Sequence, residues 1–145
     1  MLFPVLPLSL LDVRAKHAGL FYSKSGGWYA DKQYTFSRVA MSVRWHLIRM
    51  EPVEGSLNKT WAEQQSLLLP DDEVPSAAVV AFATMLHFKT TGVRLFERTY
   101  VRTSDMGADG YSVVVGYFDD NGFNVRSYWD GIRYDNLGLA SSRKF

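Results

Sequence analysis

Residues 111–129 read YSVVVGYFDDNGFNVRSYW, which is two runs of alternating side chains around a polar centre. The centre, Asp119-Asp120-Asn121-Gly122, contains the Asn-Gly pair that accepts the backbone angles of a tight hairpin turn. The pattern therefore predicts strands over 111–118 and 123–129, paired as a hairpin. The same period of two begins at Val93 and predicts a further strand over 93–103, with a loop over 104–110.

Two helices precede these strands. Thr60 and Glu63 have the spacing of a capping box, so a helix is predicted from Thr60 to about Leu69. A longer apolar helix is predicted over 77–89, ending near Gly92. The second helix is apolar on most sides, which predicts that it is buried against the sheet.

The remaining segments carry weaker signals. Ser9 is a candidate N-cap for a short helix over 8–18, a turn is predicted at 23–27, and residues 28–37 fit a helix or an extended chain. Residues 43–49 alternate as a strand that places Val43, Trp45 and Leu47 on one face. Residues 137–140 have the pattern of a short edge strand.

This order of elements predicts an α+β fold, with an antiparallel sheet of about four or five strands and two or more helices packed on one face. A length of 145 residues predicts a single globular domain over 1–145. The absence of cysteine excludes disulfides and thiolate chemistry, and a cytoplasmic location is the default expectation. The apolar start has no basic leader, and no apolar run is long enough to span a membrane.

The strand over 93–103 has the most distinctive side chains. Arg94, Phe96, Arg98, Tyr100 and Arg102 share one face, while the other face is mostly aliphatic and is expected to pack on a helix. We call the first of these the aromatic-basic face and expect it to be exposed. Its side chains are typical of surfaces that bind protein partners, although strand arginines also pair with neighbouring acids.

Residues 128–136 add rings, carboxylates and an amide after the hairpin. Such a segment fits a sugar or another polar ligand, but a cap over the core is the favoured interpretation. The predicted binding residues on this segment and the aromatic-basic face are Arg98, Tyr100, Arg102, Arg126, Tyr128, Trp129, Arg133 and Tyr134.

The function predicted from these residues is non-enzymatic recognition of a protein partner, with no cofactor. Binding of single-stranded nucleic acid by the same side chains is the alternative, and it would weaken steeply with added salt. A formal net charge of +1 provides no overall attraction to phosphate or to anionic lipid.

Catalysis and metal binding have little support in the sequence. His17, His46 and His87 belong to no recognisable triad, so no catalytic residue is predicted, and a small hydrolase using His46 or His87 with a carboxylate is a third hypothesis. Asp105, Asp109 and the 119–121 turn lack the spacing of a calcium loop, and no metal site is predicted. Gly107 and Gly110 do not have the context of a phosphate-binding loop.

Several stretches together carry a resemblance to known sequences: 59–65 (KTWAEQQ), 92–97 (GVRLFE), 100–104 (YVRTS), 128–131 (YWDG) and 137–145 (LGLASSRKF). Through them the chain resembles the C-terminal region of a family of uncharacterised bacterial proteins, over most of its length. The resemblance implies no activity, ligand or site residue. Longer look-alikes carry an additional N-terminal region, so the chain is expected to be either a fragment or a short member of that family.

Overall fold

The order of helices and strands is that of an α+β fold, as the sequence predicts. The computed structural model describes residues 1–23, 27–107 and 110–144, so the predicted turn at 23–27, the predicted loop at 104–110, Asp109 and Phe145 lie wholly or partly outside the described residues. The helices are α1 Leu10–Lys16, α2 Trp61–Gln65 and α3 Ala77–Thr91. The strands are β1 Leu2–Pro4, β2 Trp45–Ile48, β3 Asp72–Glu73, β4 Tyr100–Met106, β5 Ser112–Asp119, β6 Gly122–Tyr128, β7 Leu137–Leu139 and β8 Ser142–Arg143.

Four strands form a large sheet in the order β6-β5-β4-β7. The predicted hairpin is confirmed: β5 and β6 are antiparallel, with Asp119 opposite Gly122, so that Asp120 and Asn121 form the turn. The predicted strand at 137–140 is β7, which lies beside β4 and runs parallel to it. This edge of the sheet is therefore parallel, while the rest is antiparallel as predicted.

The predicted strand over 93–103 is wrong in its first part, because β4 begins only at Tyr100. Between Gly92 and Tyr100 the chain turns, and Phe96 has a left-handed backbone with φ of 54°. The buried side chain of Phe96 and its carbonyl, which accepts the N–H of Phe118, fix this turn. A phenylalanine rarely adopts a left-handed conformation, so the alternation of residue types could not reveal it.

The inner face of the large sheet packs against α3. Valines 101, 113, 115 and 125 of this face are buried, as are most residues of α3. Ser76 caps the start of α3 and Gly92 ends it, which confirms the predicted helix. Asp105 of β4 adds a second cap, because its carboxylate accepts the N–H of Ala77 at 2.9 Å.

The other four strands form a small sheet in the order β1-β2-β8-β3, which brings together segments from both ends of the chain. The strand predicted over 43–49 is β2, and its inward face carries His46 and Ile48. Val43, Trp45 and Leu47 are exposed. The side of this strand with the larger apolar residues therefore faces away from the core.

The shorter helices match their predicted starts more closely than their ends. Ser9 and Thr60 each form a capping box, with Asp12 and Glu63 respectively, but α1 ends at Lys16 and α2 at Gln65. Residues 28–37 form two 3₁₀ turns, Trp28–Ala30 and Phe36–Arg38, instead of one helix or one strand. Ring contacts accompany the turn hydrogen bonds here, and the ring centroids of Trp28 and Tyr34 lie 4.9 Å apart.

Candidate functional site

A fully buried arginine, Arg102, lies on the outer face of the large sheet. Its guanidinium donates to four oxygens at 3.0 to 3.2 Å: the carbonyls of Lys59, Trp129 and Ile132 and the side-chain oxygen of Gln64. Burial lowers the pKa of Arg102 and the carboxylate of Asp130 raises it, but an arginine stays protonated in a protein. Carbonyl dipoles therefore surround this buried positive charge.

The partner Gln64 connects the same network to α2 and β7. Gln64 is also fully buried, and its amide donates to the carbonyls of Ser56 at 2.9 Å and Leu137 at 3.1 Å. Its remaining oxygen accepts from Arg102, so every polar atom of the side chain is satisfied. Sequence analysis missed Gln64, because a glutamine in a short helix carries no signal of burial.

Residues 129–134 lie over the outer face of the large sheet. Asp130 anchors them: its carboxylate accepts from the hydroxyl of Ser112 at 2.6 Å, and its carbonyl accepts the N–H of Trp61 at 2.9 Å. Ile132 packs against a small apolar cluster that includes Tyr100 and Val114. This packing agrees with the interpretation of the segment as a cap.

One ring on this cap remains exposed. The side chain of Trp129 is 58% exposed, and its indole lies against the backbone of Gly131. A Cβ added to Gly131 would lie 2.6 to 2.8 Å from the indole carbons, so only glycine permits this contact. Because Arg102 holds the carbonyl of Trp129, the exposed ring rests on a segment that is anchored from below.

Tyrosine rings form a continuous line across the outer face. The ring centroids of Tyr117 and Tyr100 lie 5.3 Å apart, those of Tyr100 and Tyr128 lie 5.7 Å apart, and those of Tyr128 and Tyr134 lie 5.4 Å apart. We call these four residues the tyrosine strip. Burial, followed by the neighbouring Tyr100, raises the pKa of Tyr128, while Arg126 lowers it.

The structure separates the eight predicted binding residues into three groups by burial. The expectation that Tyr100 and Arg102 are exposed is wrong, because α2 and the 129–134 cap cover this part of the aromatic-basic face. Phe96 of the same predicted face is buried as well. Arg126 and Tyr128 are half-buried, whereas the exposed members are Arg98, Trp129, Arg133 and Tyr134.

Much of the positive charge near this surface is engaged within the protein. Arg133 forms an ion pair with Glu63 at 2.9 Å, and the guanidinium of Arg126 lies 5.7 Å from the ring centre of Tyr22. Arg94 is predicted on the aromatic-basic face, but this is wrong: its guanidinium lies over the core rings of Phe88 and Phe118 at 4.8 and 5.3 Å, because the chain turns before β4. The surface therefore combines exposed rings with a few arginines and has no strong excess of free positive charge.

The hydrolase hypothesis requires a carboxylate within hydrogen-bond reach of a histidine. Within the described ranges, no Asp or Glu oxygen lies within 4.0 Å of a histidine nitrogen. His46 is buried and stacks on Phe3 at 5.9 Å. Burial and the nearby Arg44 lower the pKa of His46, while Glu73 raises it. The hypothesis of a hydrolase that uses His46 or His87 therefore has no geometric support.

A cavity of about 290 Å³ lies between β2 and the start of α3. His46, Arg44, Glu73 and Asp105 line it, but Arg44 and Glu73 form an ion pair at 2.7 Å, and Asp105 caps α3. Burial raises the pKa of Asp105, and its hydrogen bond from Ala77 lowers it. These polar groups thus have structural roles in the fold.

The part of the chain that the structure describes contains no cluster of three or more histidine, aspartate or glutamate side chains able to hold a metal ion. It also contains no helix with the length and apolar character needed to cross a membrane.

Comparison with protein-family models, with curated proteins and with solved structures finds no match to this chain.

Proposed function

We propose that this chain is a recognition domain that binds a protein partner through residues Arg126, Tyr128, Trp129, Arg133 and Tyr134, which we call the loop surface. The observation that carries the proposal is the exposed indole of Trp129 on an anchored segment. Tryptophan, tyrosine and arginine are the residues that contribute most to binding energy in protein interfaces.

The anchoring of this segment favours binding. Ordering a loop when a partner binds costs conformational entropy, which weakens the complex. Here the carbonyls of Trp129 and Ile132 already accept from Arg102, and the carboxylate of Asp130 accepts from Ser112. Little ordering is left to be done when a partner contacts the indole.

The partner that fits this surface offers apolar side chains next to carboxylates. Trp129 and Tyr134 supply ring surface for apolar contacts. Arg126 is half-buried and lies next to Tyr128 on the same surface, so its guanidinium can pair with a carboxylate of the partner.

Single-stranded nucleic acid is the less favoured ligand. Rings and arginines also bind bases and phosphates, but a strand binder needs a groove with free positive charge along its length. Arg133 is paired with Glu63, and the chain as a whole has a net charge of only +1. These charges support a protein partner over a polyanion.

A peptide selection tests the proposal. Random peptides displayed on phage are selected on the immobilised chain, and the enriched peptides are measured by fluorescence anisotropy. We expect peptides with acidic residues beside apolar ones, and a loss of more than about tenfold in affinity in Trp129→Ala, since an interface tryptophan contributes at least about 2 kcal/mol. Trp45→Ala is the matched control, because Trp45 is 57% exposed and lies outside the loop surface.

Two results would contradict the proposal. The first is a failure to enrich any peptide whose binding depends on Trp129. The second is tight binding of a labelled oligothymidine that weakens steeply with salt and is lost in Trp129→Ala, which would assign the loop surface to nucleic acid.

A further inference from the structure

The small sheet has an apolar outer face that nothing in the described chain covers. It is formed by β1 and β2 and the residues next to them: Leu2, Pro4, Leu6, Val43, Trp45 and Leu47. Apart from Pro4, which is also exposed, their exposed fractions range from 39% to 71%. We call these six residues the outer apolar face.

The pairing of β1 with β2 brings these side chains together. Met1 and Ile48 exchange two backbone hydrogen bonds, and Val5 donates to Arg44. The intervening pairs, Leu2 with Leu47 and Pro4 with Trp45, are therefore the pairs that are not directly hydrogen-bonded, in which side chains approach most closely. The outer apolar face is thus one continuous surface.

The free edge of the small sheet is poorly suited to receive another strand. β1 is the outermost strand, and the pairing pattern directs the backbone of Leu2 and Pro4 away from β2. Pro4 has no N–H, so Leu2 offers the one outward N–H of this short strand. A partner is therefore expected to pack on the face of the sheet and not along its edge.

The outer apolar face is large enough to form part of an interface between proteins. Its exposed side chains present on the order of 500 Å², at the upper end of what a monomeric protein leaves in one apolar patch. Leu47, Met50 and Leu69 line an adjoining hollow of about 560 Å³ and extend the apolar surface. Two such faces packed together would bury on the order of 1,000 Å² in total, which is the lower end of a specific interface.

The outer side of the small sheet carries little charge. Arg143 lies opposite Leu47 on this side and pairs with the buried Asp72 at 2.7 Å, whereas the pair of Arg44 and Glu73 lies on the inner side with His46. The ion pair leaves this side without a net charge, so it selects no strongly charged partner. A copy of the same surface turned by a two-fold rotation would place apolar residues on apolar residues.

We propose that the outer apolar face binds a second copy of this chain, so that two small sheets pack face to face around Trp45. The arguments are the size of the apolar area, the poor edge at Pro4 and the absence of net charge on this side of the sheet. This dimer shares no residue with the loop surface, so it is independent of the proposed recognition of a protein partner.

The test is the molar mass of the untagged chain in solution, measured by light scattering after size exclusion and by sedimentation velocity. At loading concentrations from about 1 to about 200 µM, which span the affinities of ordinary dimers, we expect a rise to twice the 16.5 kDa of one chain. Trp45→Lys and Leu47→Lys should both remain monomeric at the highest concentration, because each places two ammonium groups inside the apolar contact.

Trp129→Lys is the control, since the two tryptophans are 57% and 58% exposed and the substitution is the same. It should dimerise as the parent chain does. Circular dichroism spectra and melting temperatures check that each variant is folded. A parent chain that is monomeric throughout would overturn the inference, as would a dimer that survives Trp45→Lys.

Discussion

Replacing Arg102 with methionine removes the donors of four oxygens on the outer face of the large sheet, while it keeps an apolar side chain of similar length. The four lost hydrogen bonds have lengths of 3.0 to 3.2 Å. The carbonyl of Trp129 still accepts the N–H of Ile132, so three oxygens lose their donor: the carbonyls of Lys59 and Ile132 and the side-chain oxygen of Gln64. Each unsatisfied oxygen costs about 1 to 3 kcal/mol, which gives about 3 to 9 kcal/mol in all. Removing a buried charge recovers part of this cost, so we expect the free energy of unfolding to fall by about 3 kcal/mol.

The assay is urea denaturation followed by circular dichroism, with calorimetry as a second measure. A loss of about 3 kcal/mol corresponds to a decrease of roughly 6 to 12 °C in melting temperature for a chain of this size. Arg102→Lys should also lose stability, because an ammonium has three donors on one atom and cannot reproduce the planar fork of arginine. Arg98→Met is the control: Arg98 is exposed and should change stability by less than about 0.5 kcal/mol.

Hydrogen exchange provides a local measure of the same effect. The N–H of Trp61 donates to the carbonyl of Asp130, next to two carbonyls that Arg102 holds. In Arg102→Met this amide should exchange faster than amides of the β5–β6 hairpin. Equal stability of Arg102→Met and the parent chain, with unchanged exchange at Trp61, would refute the assigned role of the buried guanidinium.

Three further substitutions test other contacts. Gly116→Ala should destabilise the chain strongly, because φ at Gly116 is +127° and the added Cβ would lie 2.5 Å from the carbonyl oxygen of Thr99. Gly19→Ala is the control and should have little effect, because no atom lies within 4 Å of the added Cβ. Urea melts of the two variants measure the difference. Gly131→Ala should displace the indole of Trp129, which a change in the fluorescence of that tryptophan would report, and unchanged emission would count against the contact. Burial lowers the pKa of folded His46 below the unfolded value of about 6.5, so the unfolded chain binds the proton more readily, and stability should fall as the pH drops below about 6.5. His46→Phe should reduce that fall in urea melts at about pH 7.5 and about pH 5.5, and an unchanged pH dependence would contradict it.

Elements with local signals were predictable from sequence. The hairpin at 119–122, the capping boxes at Ser9 and Thr60, and the helix between Ser76 and Gly92 are all present. Each of these signals depends on residues only a few positions apart, because caps and turns satisfy their backbone hydrogen bonds locally. The α+β class follows from the order of these elements along the chain.

The predicted binding surface shows where local signals stop. Alternation places Tyr100 and Arg102 correctly on one face of β4, but it cannot show what lies above that face. The covering segments come from residues 56–64 and 129–134, which are distant from β4 in the chain. Alternation in the sequence therefore shows which side chains share a face of a strand, but it does not show which segments pack over that face.

Burial also reversed the expected roles of individual residues. Arg102 and Gln64 are fully buried although their types favour the surface, while Trp45 and Leu47 are exposed although their types favour the core. Each exception depends on contacts between distant segments: carbonyls that meet at Arg102, and a small sheet in which β2 lies between β1 and β8. Short-range hydrogen bonding therefore determined the helices and the hairpin from sequence, whereas the identity of the open and the covered faces required the tertiary structure, because burial depends on where distant segments pack.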